Sequence, residues 1–137
     1  MTRVPDASLP VGSRAWRWAL FLGCGTALGY GLFRIEPPPQ LYAGGTVESD
    51  KLLHVVAFAA FCVSARIALT RVSRVWLWGA LFALAPFTEW LQHFFQPTRM
   101  FSQADIQANV AGVVLAAALV VVSERLGWGA ENLARRG

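Results

Sequence analysis

Four long apolar runs alternate with short polar breaks along the chain: Trp16 to Phe33, Lys51 to Leu69, Val75 to Phe95 and Ile106 to Val122. A helix rises about 1.5 Å per residue, so each run reaches across most or all of a hydrocarbon core about 30 Å thick. Tilt or local thinning of the bilayer absorbs any shortfall. The pattern predicts an all-α integral membrane bundle of four transmembrane helices. After the first run, Pro37, Pro38 and Pro39 cannot continue a helix and favour an extended connection, which Gly44 and Gly45 then loosen. Arg14 and Arg17 flank the start of that run, but no small-x-small cleavage site follows it, so it reads as a retained signal anchor. The chain therefore divides into an N-terminal segment 1–15, a transmembrane domain 16–123 and a C-terminal tail 124–137.

The polar residues inside these runs are unevenly placed. Asp50, Lys51 and His54 open the second run, with Asp50 and His54 on one helical face. Glu89, Gln92 and His93 follow one another at helical spacing near the end of the third, which places all three on one side. Glu89 lies about 21 Å along its span when counted from Val75, still short of the outer end. An ionised carboxylate there is costly, so Glu89 is expected to be protonated or paired with Lys51, Arg99 or His54. Pro86, just before it, removes a hydrogen bond to the Phe82 carbonyl and is expected to kink the helix beside Glu89.

In the fourth run Asp105, Asn109 and Gly112 stack on one face, and Ser102-x-x-Asp105 is a helix-start pattern. Ala104, Ala108, Gly112 and Ala116 recur every four residues, a small-residue stripe against which another helix packs closely, so Asn109 beside it faces protein. Each polar residue also has a plain reading: Asp105 as a cap, His54 as an interfacial histidine, Arg99 as a loop arginine, Asn109 and Gln92 as interhelical hydrogen-bonding groups.

Composition strengthens the membrane reading: 55% of the 137 residues are apolar and the mean hydropathy is +0.46. The net charge of +4 does not indicate nucleic acid, because the basic residues sit in short clusters at the ends of apolar runs. Arg3, Arg14, Arg17, Arg66, Arg71, Arg74, Arg125, Arg135 and Arg136 fall on one side of the predicted bilayer; Arg34, Lys51 and Arg99 fall on the other. Nine against three puts both termini and the middle turn in the cytoplasm. The polar chemistry then gathers at the outer face, and the cytoplasmic side carries almost only arginine. Cys24 and Cys62 lie within apolar runs without ligand spacing and read as packing residues.

The order Asp50-Lys51-x-x-His54, Glu89-x-x-Gln92, Arg99, Asp105-x-x-x-Asn109 and Gly112 resembles the VanZ-like membrane protein family. The resemblance runs from about Ser49 to Val122, and "FTEWLQHFFQPTRMFSQADIQANVAG" is its most diagnostic part. It implies a small multi-span protein of the bacterial cytoplasmic membrane, associated through the family's namesake with resistance to the glycopeptide teicoplanin. No agreed activity comes with the family, and His93 and Pro86 are not part of its pattern.

The leading functional expectation is an outward-facing site that binds or modifies an envelope lipid or a lipid-linked cell-wall precursor. Lys51 and Arg99 would hold a phosphate or carboxylate, while Asp50, Gln92, Asp105 and Asn109 complete the binding set. Glu89 and His54 would form the acid–base pair if chemistry occurs. The alternative is a non-catalytic scaffold in which the same groups only fix helix packing. A metal-dependent hydrolase built on His54, Glu89, His93 and Asp105 lacks a complete motif, and neither Ser49 nor Ser102 has a nucleophile-elbow context. No cofactor or metal is assigned, four short spans leave little room for a transport passage, and oligomeric state is open.

Overall fold

The computed structural model describes residues 12–33, 47–96 and 101–126. The Pro-rich connection, Arg3, Arg34, Arg99, Arg135 and Arg136 lie outside the described residues. Four helices account for nearly all that is described: α1 (Gly12–Phe33), α2 (Val47–Ala68), α3 (Arg74–Phe95) and α4 (Gln103–Arg125). No strand occurs among the described residues. The helices begin up to four residues before the apolar runs and end close to them, because caps set helix ends whereas apolarity marks only the buried or lipid-facing stretch.

Two of these ends are visible in side-chain chemistry. Ser73 adopts an extended backbone and its hydroxyl accepts from the Trp76 N–H at 3.4 Å, which starts α3 directly after the short turn at 69–73. Ser102 does the same for α4, accepting from the Asp105 N–H at 3.2 Å. α3 ends at Gln96, whose N–H reaches the Gln92 carbonyl at 2.8 Å; Pro97 follows in the sequence and cannot continue the helix. Pro86 is accommodated inside α3, on its exposed side, and the helix continues through it.

The contacts define an up-down-up-down arrangement. Phe21 of α1 stacks on Phe61 of α2 with ring centroids 5.4 Å apart, and Phe61 also lies against Gly25. At the other end of α1, Phe33 meets Phe95 of α3 edge to face. α4 runs parallel to α2, joined by His54–Asn109 near one end and Arg66–Glu124 near the other, and antiparallel to α3. α4 makes its broadest contact with α2 and a second with α3.

The α2–α4 contact depends on the small-residue stripe. Ala108, Gly112 and Ala116 are buried, and a Cβ placed on Gly112 would lie 2.6 Å from the Val55 carbonyl oxygen and 2.7 Å from Phe58 Cβ. Only hydrogen fits there, so Gly112 sets how closely the two backbones approach. Phe58, Cys62 and Val113 fill the space on either side with no exposed surface. Two of the helices, α2 over Lys51–Ala68 and α4 over Gln103–Arg125, are long and apolar enough to cross a membrane. α1 and α3, each of 22 residues, match α2 in length.

Candidate functional site

Polar side chains from three helices meet at one end of the bundle, where α2 and α4 begin and α3 ends. Asn109, fully buried on α4, is the hub. Its amide nitrogen donates to the Ala85 carbonyl and the Thr88 hydroxyl oxygen, both at 3.3 Å, and Thr88 Oγ1 itself donates to Ala85 O at 2.8 Å. A backbone carbonyl only accepts, so the Asn109 amide must present its NH2 to Ala85 and its Oδ1 to His54. His54 Nδ1, 3.0 Å from that Oδ1, is then the donor. In the neutral imidazole this leaves Nε2 as an acceptor.

Glu89 occupies the same end of α3 and is 1% exposed. Its Oε1 accepts the backbone N–H of Ser102 at 2.7 Å. In a capping box that N–H would go to the side chain three residues along, here Asp105. Instead a carboxylate from the neighbouring helix takes it, and it sits where the N-terminal end of the α4 dipole favours negative charge. Of the cationic partners expected from the sequence, the two among the described residues do not supply the contact. Neither Lys51 nor His54 pairs with Glu89, the described partner is a main-chain amide, and Arg99 lies outside the described residues.

Gln92, one turn further, is also fully buried. Its amide nitrogen donates to the Leu32 carbonyl at 2.6 Å, satisfying one of the carbonyls that the end of α1 leaves without an intrahelical donor. The two remaining oxygens, Glu89 Oε2 and Gln92 Oε1, are buried and have no hydrogen-bond partner among the described residues. Buried polar atoms are usually satisfied, so two unpaired acceptors one turn apart on one helix are an unusual local feature.

The other predicted residues divide. Asp105 is buried in the first turn of α4, and Lys51 is half-buried at the start of α2. Asp50 lies in the first turn of α2, with its side chain outside the described part. His93 is exposed and packs its ring against Phe101, whereas Glu89 and Gln92 are buried. The buried face of α3 runs through Leu81, Ala85, Thr88, Glu89 and Gln92, and His93 lies just beyond its edge. Among the described residues, no three His, Cys, Asp or Glu side chains are grouped so as to hold a metal ion.

Two contributors escaped sequence reasoning. Thr88 carries the hydrogen-bond chain from Asn109 into α3, and its spacing of three from Ala85 was the available signal. Glu124 sits among the arginines of the opposite end, bridging Arg66 at 3.4 Å and Arg74 at 2.9 Å. That end is therefore not an all-arginine anchor. No family model, curated protein or solved structure matches this chain.

Proposed function

We propose that this chain is a VanZ-like, multi-pass protein of the bacterial cytoplasmic membrane whose polar end faces outward. There it binds or modifies an envelope lipid or lipid-linked cell-wall precursor and thereby affects glycopeptide susceptibility. Membrane integration draws support from the side chains that face away from the bundle. Trp16, Leu22, Tyr30, Leu52, Trp90 and Leu119 are all exposed, and only 33% and 28% of the two most apolar windows are buried. A helix apolar enough to be a soluble core would have most of its surface covered.

The observation that carries the ligand reading is the pair of buried, unpaired acceptors Glu89 Oε2 and Gln92 Oε1. They suit a headgroup that presents hydroxyl or ammonium donors, with Lys51 half-buried at the same end to meet its phosphate. The scaffold alternative rests on a different observation: the His54–Asn109–Thr88–Ala85 chain is internally satisfied and ties α2, α3 and α4 together without a ligand.

Glu89→Gln separates the two readings. The substituted amide oxygen still accepts from Ser102 N–H, while the unpaired acceptor becomes an NH2 donor. The fold is expected to survive, with a melting temperature in detergent close to the native value. Teicoplanin susceptibility of cells carrying the variant at native membrane levels is expected to match cells lacking the protein. A variant that behaves as the native protein in that assay would leave only the scaffold.

A further inference from the structure

The hydrogen-bond chain through Asn109 has a direction, set by a main-chain group that no rotation can reverse. The Ala85 carbonyl offers only lone pairs, and it receives both the Thr88 hydroxyl at 2.8 Å and the Asn109 amide nitrogen at 3.3 Å. With its proton directed at Ala85, the Thr88 oxygen also meets Asn109 as an acceptor, at 3.3 Å. An inverted Asn109 amide would set oxygen against the Ala85 oxygen and leave buried acceptors unmet. Asn109 has no exposed surface, so water cannot make up the loss. Its Oδ1 is therefore held toward His54 Nδ1 at 3.0 Å, and a neutral imidazole must carry its proton on that nitrogen.

The chain thereby fixes the far side of the ring. Nε2 is left without a proton, and it has no hydrogen-bond partner among the described residues. His54 is half-buried, so its ring is not sealed within the packing as Asn109 is. The neutral ring can accept a hydrogen bond or a proton at Nε2 but has none to give there. Lys51, three residues earlier on α2 and also half-buried, is a neighbour on the same helix surface, nearer the helix start. A cation beside a bare acceptor suits a phosphate ester that also carries a hydroxyl: the ammonium meets a phosphate oxygen, and Nε2 accepts the hydroxyl hydrogen. The first turn of α2 favours the same negative charge.

We propose that Asn109 is a positioning residue that holds His54 with its proton on Nδ1, and that the bare Nε2 accepts a hydroxyl of a lipid headgroup whose phosphate meets Lys51. The ligand half of this inference rests on the outer-site reading above and narrows its substrate class to hydroxyl-bearing phosphate lipids. The tautomer half stands on the bundle's own hydrogen bonds.

The chain holds two histidines, so labelling histidine nitrogen in the full-length protein gives two ring signatures by nuclear magnetic resonance, and His93→Gln assigns them. Above the histidine titration range, couplings from the ring C–H protons to each nitrogen show which one carries the proton. Native His54 is expected to favour Nδ1–H at least about tenfold. Asn109→Leu, or Asn109→Ala where the leucine variant does not fold, is expected to lose that preference. A native His54 with its proton on Nε2 would overturn the lock, and an unaltered preference in the Asn109 variant would overturn Asn109 as its cause. The ligand half is read from the Nε2 signal in nanodiscs of phosphatidylglycerol and of phosphatidylethanol, an anionic phosphodiester without a hydroxyl. A shift toward the hydrogen-bonded value is expected in phosphatidylglycerol alone, cut by at least half in Lys51→Gln. Equal signals in the two lipids would leave Nε2 to water and return the site to the scaffold reading, with the tautomer result unaffected. A shift caused by glycerol phosphate in neutral detergent and absent from both nanodiscs would overturn a lipid as the source of the headgroup.

Discussion

Glu89 and Gly112 show how single positions set the geometry of this protein. Gly112 fixes the spacing of α2 and α4, and His54 can reach Asn109 only at that spacing. The atoms a new Cβ would meet at Gly112 include the Val55 carbonyl oxygen, which belongs to a helix backbone and cannot rotate away. Gly112→Ala is therefore expected to destabilise the protein by about 1–3 kcal/mol through overpacking. A thermal melt in detergent measures it, and an unchanged midpoint would mean that the helices separate without cost. Asn109 and Gly112 were legible in the sequence because helical spacing puts them beside a small-residue stripe, and small residues mark where another helix comes close. Glu89 was legible as a costly group from its position within a long apolar run. Its partner was not, because a main-chain N–H carries no sequence signature and every candidate considered was a cationic side chain. The exposure of His93 was not legible for a related reason: spacing gives an angle on the helix, but where the buried face stops depends on how the neighbouring helix is rotated.

At the scale of the element, the start of α4 is where fold and candidate site coincide. Ser102 contributes its hydroxyl to Asp105 N–H and its own N–H to Glu89, so one residue both starts the helix and pins the carboxylate. Ser102→Ala removes only the first contact and is expected to cost about 1 kcal/mol, the usual loss for an N-cap. Ser102→Pro removes the N–H as well and leaves both Glu89 oxygens unpaired, adding about 1–3 kcal/mol. A double-mutant cycle with Glu89→Leu tests the assignment: without the carboxylate, the extra cost of proline over alanine should largely disappear. If it stays the same, Glu89 does not depend on that amide. The Ser-x-x-Asp pattern gave away the cap, but a local pattern could not reveal that a residue thirteen positions earlier completes it.

The whole molecule is polarised between its ends. One end holds the amide and carboxylate chain around Asn109 and Glu89; the other holds the arginines and Glu124, and the faces between them are apolar. That division was visible in the sequence because alternating helix direction sends residues near the start of α2 and α4 and the end of α3 to the same place. In the proposed membrane orientation, the end that faces the cytoplasm is assigned from the arginine asymmetry, a signal that acts during insertion and leaves no mark on side-chain packing. It can be read by labelling. In a background with Cys24 and Cys62 replaced by alanine, Arg71→Cys places a thiol in the exposed turn between α2 and α3, and Phe101→Cys places one beside the start of α4. A membrane-impermeant maleimide is expected to label the position 101 thiol in intact cells and the position 71 thiol only after permeabilisation. The reverse order would turn the Glu89 end toward the cytoplasm. An outer-leaflet or cell-wall precursor would then have no route to the unpaired acceptors.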